Sequence, residues 1–283
     1  MLKFSIITVV FNDKIGLKRT IESVINQSYK DYEYIIIDGG STDGTVDVIK
    51  EYADRITYWV SEPDKGIYNA MNKGIKVAQG QYCNFMNAGD MFVANDVLEK
   101  TSRYADGTSV LTGDTQACHL ENGEVVKDGM WPSPNKLIGY KLIHMNGALS
   151  HQASFILTEL LKSNPYNEKF KICSDWQFFV EELVMKDGTY LKLPFIVALF
   201  DGNGISNQRN RSTILKEKKN ILNLVLPKRI CEDYEQLIYG ETPLEKIIKL
   251  KGESSLIYKT LTRMALVYME AEKLVKKFVR YKK

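Results

Sequence analysis

The chain has 283 residues, 44% of them hydrophobic, and a formal net charge of +3. This length suits one large α/β domain with extensions, or two small ones, and the apolar content argues against a disordered chain. The four cysteines show no C-x-x-C spacing, which argues against a zinc or disulfide framework and fits reduced thiols in a cytoplasmic protein.

The first predicted strand covers residues 4–10, with no signal peptide expected ahead of it. Helix 15–28 follows, with Leu17, Ile21, Val24 and Ile25 on one face. Strand 34–37, helix 46–52, strand 57–60, helix 67–78, strand 82–86, helix 96–104 and strand 109–112 continue the alternation. Such alternation predicts a mostly parallel sheet with helices on its faces. Beyond residue 113 the pattern changes. Residues 115–127 read as antiparallel strands around Glu121-Asn122-Gly123, and 130–135 as a Pro-containing loop. Residues 153–157 and 195–200 read as strands, 176–185 as a helix, and the chain from 212 onward as mainly helical.

The longest uncharged run, 142–158, contains His144, Asn146, His151 and Gln152, so a membrane span is not expected. In the tail, Ile257, Leu261, Met264, Tyr268, Ala271, Val275 and Phe278 form an amphipathic stripe. Residues 273–283 carry six basic side chains and no acid. The stripe fits packing on protein, whereas the basic end fits an anionic membrane surface.

Five segments carry chemistry. Strand 34–37 runs into Asp38-Gly39-Gly40-Ser41-Thr42-Asp43. Asp38 sits where open α/β sheets bind ligands, although Ser41 or Asp43 capping the next helix explains the segment equally well. Strand 82–86 ends in Asn87-Ala88-Gly89-Asp90. Asp90 either closes a turn or holds a hard divalent cation whose other positions go to water and phosphate. Ser174 and Gln177 have capping-box spacing, which puts Asp175 in a first helical turn, as a dipole partner or as a general base. Lys65 and Gly66 precede a helix whose N-terminus suits phosphate, or form a plain charged loop. Arg209 and Arg211, in a glycine-rich loop, suit a diphosphate. Strand 1 is followed by Phe11-Asn12-Asp13-Lys14 rather than a G-x-G-x-x-G turn, which disfavours a dinucleotide oxidoreductase.

Taken together these motifs resemble the family 2 glycosyltransferases of the GT-A fold. The resemblance rests on Val9-Val10-Phe11-Asn12, Ser23 to Tyr29, Asp38 to Asp43, Ala70-Met71-Asn72-Lys73-Gly74, Asn87 to Asp90 and Asp175, and covers about residues 3–205. It implies a GT-A domain over 1–205, with a nucleotide-sugar half (1–113) and an acceptor and base half (114–205), then a helical extension over 206–283. It further implies a nucleotide-binding set of Val9, Phe11, Asn12, Asp38, Lys65, Gly66, Asn72, Asn87 and Ala88. Asp90 would bind Mn²⁺ or Mg²⁺, Asp175 would be the catalytic base, and Arg209 and Arg211 would face the diphosphate. Trp131, His151, Gln152 and Trp176 would shape the acceptor site.

The implied activity is inverting transfer from a UDP-sugar to a hydroxyl of a glycan or lipid-linked saccharide, in bacterial surface polysaccharide synthesis. The implied location is the cytoplasm or the inner membrane face, with a homo-oligomer as a further possibility and no nucleic-acid partner. The alternative is a non-catalytic nucleotide-sugar or glycan-binding protein. Two departures bear on this. Asn87 and Gly89 stand where carboxylates are common in the family, and Met71 where many members place a base-contacting Arg.

Overall fold

A computed structural model describes residues 2–121, 124–136, 138–143, 149–201, 211–239, 259–260 and 263–264. Within the described residues the chain forms two compact units, 1–226 and 227–283. The first unit is built on a nine-stranded sheet.

Strand β1 (Phe4–Val10) is buried at all seven positions, the unbroken apolar run of a strand covered on both faces. It pairs in parallel with β2 (Tyr32–Asp38) on one side and β4 (Tyr82–Phe85) on the other, and β3 (Tyr58–Ser61) extends the sheet beyond β2. The chain thus winds outward from β1 to β3 and returns to the opposite side at β4. This reversal opens a crevice at the carboxyl ends of β1 and β4, where ligands bind in such sheets. The sheet then becomes mixed. Strand β8 (Ser154–Leu157) pairs antiparallel with β4 and with the start of β6 (Val110–Glu121). Strand β9 (Tyr190–Asp201) runs parallel to β6, and the two-residue β5 (Met91–Phe92) pairs antiparallel with β9. Strand β7 (Glu124–Trp131) forms a hairpin with the far end of β6.

Helix α1 (Lys14–Ile25) buries Leu17, Ile21, Val24 and Ile25, and the Asp13 carboxylate caps it by accepting from the Gly16 amide at 2.8 Å. Helix α2 is Thr45–Glu51 and α4 is Val97–Ser102. Helix α3 (Ile67–Val77) packs on the other face at Gly74, where a Cβ would lie 2.6 Å from Ile7 Cγ2. Helices α5 (Ile138–Ile143), α6 (Thr158–Ser163), α7 (Ser174–Val180) and α8 (Arg211–Val225) complete the first unit, and α9 (Lys228–Tyr239) belongs to the second.

The parallel half matches the sequence reading within a few residues. Four readings change. The strand predicted at 109–112 is the start of the twelve-residue β6, and Met130 and Trp131 end a strand instead of opening a loop. The helix predicted over 176–185 is α-helical to Val180 and then widens into a π turn, Glu181–Met185. The capping box is not made. Cys173 is the N-cap with no side-chain cap, and Ser174 Oγ has no hydrogen-bond partner. Most of the tail stripe and the whole basic end lie outside the described residues, as do His144 and Asn146. Among the described residues no helix is long and apolar enough to cross a membrane.

Candidate active site

The crevice at the carboxyl ends of β1, β2 and β4 collects most of the predicted residues. Val9 is buried, and its carbonyl accepts from the Ala88 amide at 3.1 Å, tying β1 to the turn after β4. Phe11 follows β1 and is 63% exposed, a free aromatic face at the crevice edge. Asn12 takes a positive φ of 50°. Its backbone N–H donates to Ser41 Oγ at 2.7 Å, and its side-chain oxygen accepts from the Thr42 amide at 2.8 Å. Asp43 accepts from Thr45 and from the Lys14 amide, which locks the starts of α2 and α1 together.

Asp38 is fully buried and heavily used by the protein itself. Its Oδ2 accepts from the Gly40 and Ser41 amides and from Ser61 Oγ at 2.6 Å, and its Oδ1 accepts from Ser41 Oγ at 2.5 Å. The carboxylate therefore organises the β2–α2 loop, and only one lone pair of Oδ1 remains for a ligand.

Lys65 and Gly66 sit at the start of α3, where Gly66 adopts φ 119°. With Tyr68, Asn69, Glu168 and Lys171 they line a cavity of about 120 Å³. Asn72 is directed elsewhere. Its amide donates to the Tyr166 carbonyl and Glu168 and accepts from the Tyr166 amide, so it clamps a loop.

The turn after β4 holds the second cluster. Asp90 is 5% exposed and accepts from the Asp201 amide at 3.0 Å. Burial pushes its carboxyl up to about 7, against the opposing pull of His151 and of that amide. Asp201 in turn pairs with Arg19 at 2.9 Å, and Arg19 Nε and Nη1 are buried without hydrogen-bond partners. Neither Arg19 nor Asp201 stood out in the sequence beyond the glycine-rich context of Asp201. Among the described residues no group of three or more His, Cys, Asp or Glu could hold a metal. A single buried carboxylate fits a hard cation whose other ligands are water and substrate phosphate.

The third cluster surrounds Asp175, whose side chain is 16% exposed. Its Oδ2 lies 3.0 Å from His151 Nδ1, and its Oδ1 accepts from Tyr68 Oη at 2.8 Å. Burial would raise its pKa, but the hydrogen bond and charge of His151, then Tyr68, hold it below the usual carboxylate range. Burial would lower the His151 pKa, yet Asp175 and then Asp90 hold it above the ordinary imidazole value. Tyr68, pushed far up by its own burial and then by Asp175, remains a donor.

His151 Nε2 faces Asn87 Nδ2 at 2.9 Å, while Asn87 Oδ1 is buried without a partner. A protonated His151 donates from both nitrogens, and turning the Asn87 amide over gives that oxygen the second proton. A hydrogen-bonded chain thus runs Asn87–His151–Asp175–Tyr68, joining the turn of Asp90 to the start of α3. The sequence reading placed His151 at the acceptor and passed over Tyr68. Only the fold brings them to Asp175.

The other residues expected at the acceptor divide. Trp131 is 60% exposed and packs on Phe200, with ring centroids 6.4 Å apart, next to Asp201 in the chain. Gln152 is buried, and its carbonyl accepts from Asn84. Trp176 is 3% exposed, with its indole N–H on the Leu142 carbonyl and Lys218 Nζ 4.9 Å from its ring centroid. It belongs to the packing of α7 against α5 and α8 and presents no face to an acceptor. Arg209 lies outside the described residues, and Arg211 begins α8 with its side chain outside them.

The crevice, the buried Asp90 and the hydrogen-bonded Asp175 can be set beside known proteins. A family model described as Glycosyl transferase family 2 matches residues 5–162, more than half of the chain. An uncharacterized glycosyltransferase of Mycobacterium tuberculosis is 30% identical over 222 residues, spanning 78% of this chain and 83% of its own. Staphylococcus aureus TarS 1–349, solved in complex with UDP-GlcNAc, superposes with a TM-score of 0.60 at 17% identity, over 90% of this chain and 78% of its own. The Pyrobaculum calidifontis mannosyltransferase PcManGT, solved with GDP-Man and Mn²⁺, gives a TM-score of 0.60 at 13% identity, over 94% and 80%. With this mixed sheet, this crevice and that match, the chain belongs to glycosyl transferase family 2 and is a glycosyltransferase of the GT-A fold.

Proposed function

We propose that the protein is an inverting, metal-dependent transferase. It moves a hexosyl or N-acetylhexosaminyl group from a UDP-sugar to a hydroxyl of a glycan or lipid-linked saccharide in bacterial surface polysaccharide synthesis. The observation that carries this reading is the pair of hydrogen bonds at His151, 3.0 Å to Asp175 and 2.9 Å to Asn87. They place an ionised, partly desolvated carboxylate across one imidazole from the turn that carries Asp90.

Phe11 stacks on the base, with the remaining lone pair of Asp38 taking a base N–H, and the start of α3 with Lys65 faces the phosphates. UDP is a choice that the UDP-GlcNAc complex of TarS supports and the GDP-Man complex of PcManGT tests. Met71, where a base-contacting Arg is common, is buried and offers no contact. Asp90 would hold Mn²⁺ or Mg²⁺, which when bound neutralises charge on the departing diphosphate. Asp175 accepts hydrogen bonds on both oxygens and still has lone pairs for an acceptor hydroxyl. Removing that proton contributes about 10²- to 10⁴-fold. One base, with no covalent nucleophile assigned among the described residues, implies direct displacement with inversion.

The test pairs binding with turnover. UDP-sugars should raise the melting temperature more in the presence of Mn²⁺ than in its absence. Asp175→Asn should keep that shift and lose about 10²-fold or more of UDP release. Full turnover in Asp175→Asn removes the base assignment, and a shift with GDP-sugars alone removes UDP. Binding without transfer over a broad acceptor panel supports a non-catalytic binding protein instead.

A further inference from the structure

Helix α7 lacks a side-chain cap, and the loop that leads into it is held from α8. Glu217 Oε1 accepts from the Lys171 amide at 2.7 Å, and its Oε2 accepts from the Ile172 and Cys173 amides, both at 2.8 Å. The next residue, Lys218, lies over the Trp176 ring. From the opposite side the single Tyr68 Oη proton is shared between the Ile172 carbonyl at 2.6 Å and Asp175 Oδ1 at 2.8 Å. The peptide groups of Ile172 are thus held at both ends, N–H by Glu217 and C=O by Tyr68, three residues before Asp175.

We infer that Glu217 is a positioning residue for Asp175, so that α8 is part of the catalytic apparatus instead of an appendage to it. This rests on the reading of Asp175 as the base. Three convergent N–H donors need an acceptor with several lone pairs, which a carboxylate has. A glutamine keeps one acceptor oxygen and turns an NH₂ toward a donor, so it loses at least one of the three bonds. Catalytic geometry tolerates little displacement, since an error of about 1 Å can cost about 10²-fold.

The experiment compares Glu217→Gln, Glu217→Asp and the exposed-site control Lys216→Gln in the full chain. UDP release is measured from UDP-N-acetylglucosamine with Mn²⁺, and the imidazole signals are followed by ¹⁵N NMR. In Glu217→Gln we expect kcat down about 10- to 100-fold, a donor KM within about twofold of the parent and a lower titration midpoint for His151, because a displaced Asp175 supports its proton less. Glu217→Asp should recover part of the loss, and Lys216→Gln should match the parent.

An unchanged His151 midpoint in folded Glu217→Gln overturns the inference, as does a loss of activity that only tracks the unfolded fraction. The two readings fail separately. If Asp175→Asn abolishes turnover while Glu217→Gln is silent, only the positioning role falls. If Asp175→Asn is fully active, the base assignment falls whatever Glu217 does. The NMR midpoint needs no substrate and decides the positioning contact in either case.

Discussion

At Asp175 and His151 each group holds the other in its charged form, although both lie in a largely dehydrated site. Replacing His151 with Ala removes the bond and the charge that depress Asp175 and leaves the burial that raises it. The acid limb of the kcat/KM profile should therefore move to higher pH, with kcat reduced about 10-fold or more. A limb that stays in place would show that Asp175 is not the titrating base. Asp90 behaves in the opposite sense. Its folded carboxyl is pushed up to about 7, and its unfolded value is near 3.9. Between about pH 4 and pH 7 the folded, metal-free protein keeps a proton that the unfolded chain has lost, so stability falls as pH rises through that window. Urea midpoints across this range should show the decline, and Asp90→Asn should flatten it. The acids at strand ends were legible because strand, glycine and carboxylate are adjacent in sequence. Tyr68 and Arg19 were not, because each acts on a partner remote in the chain.

Helix α1 pins the turn that carries Asp90. Thr20 Oγ1 donates to the Asp90 carbonyl at 2.7 Å and accepts from the Gly89 amide at 3.0 Å. Thr20→Val keeps the shape and strands both backbone groups, which should cost about 1–3 kcal/mol in chemical unfolding. It should also weaken the Mn²⁺-dependent part of the melting shift. Helix α3 approaches the sheet at Gly74, and Gly74→Ala drives a methyl into Ile7. A loss of about 1–3 kcal/mol is expected there, read from the urea midpoint. Hydrophobic period located both helices because it is a local property. It could not reveal that α7 goes uncapped and that the loop leading into it is held from α8, since the Ser174–Gln177 spacing fits a capping box whether or not one forms.

The whole molecule divides after Leu226, and α8 belongs to the first compact unit. A chain shortened to 1–226 should unfold cooperatively and keep its UDP-dependent melting shift. One shortened to 1–205 loses Glu217 and Lys218 and should melt lower, with Asp175 poorly placed. Calorimetry of the two fragments checks this. The α/β class, the parallel half and the carboxylates at strand ends were determined by sequence alone, because apolar period and turn chemistry are written within a few residues. The mixed half and the state of the site were decided by tertiary structure. The contacts that hold Asp175 span 24 positions to His151 and 107 to Tyr68, and the Glu217 bond that secures its helix spans 44 to Cys173. Burial, which sets the protonation of Asp90, exists only once the chain has closed around it.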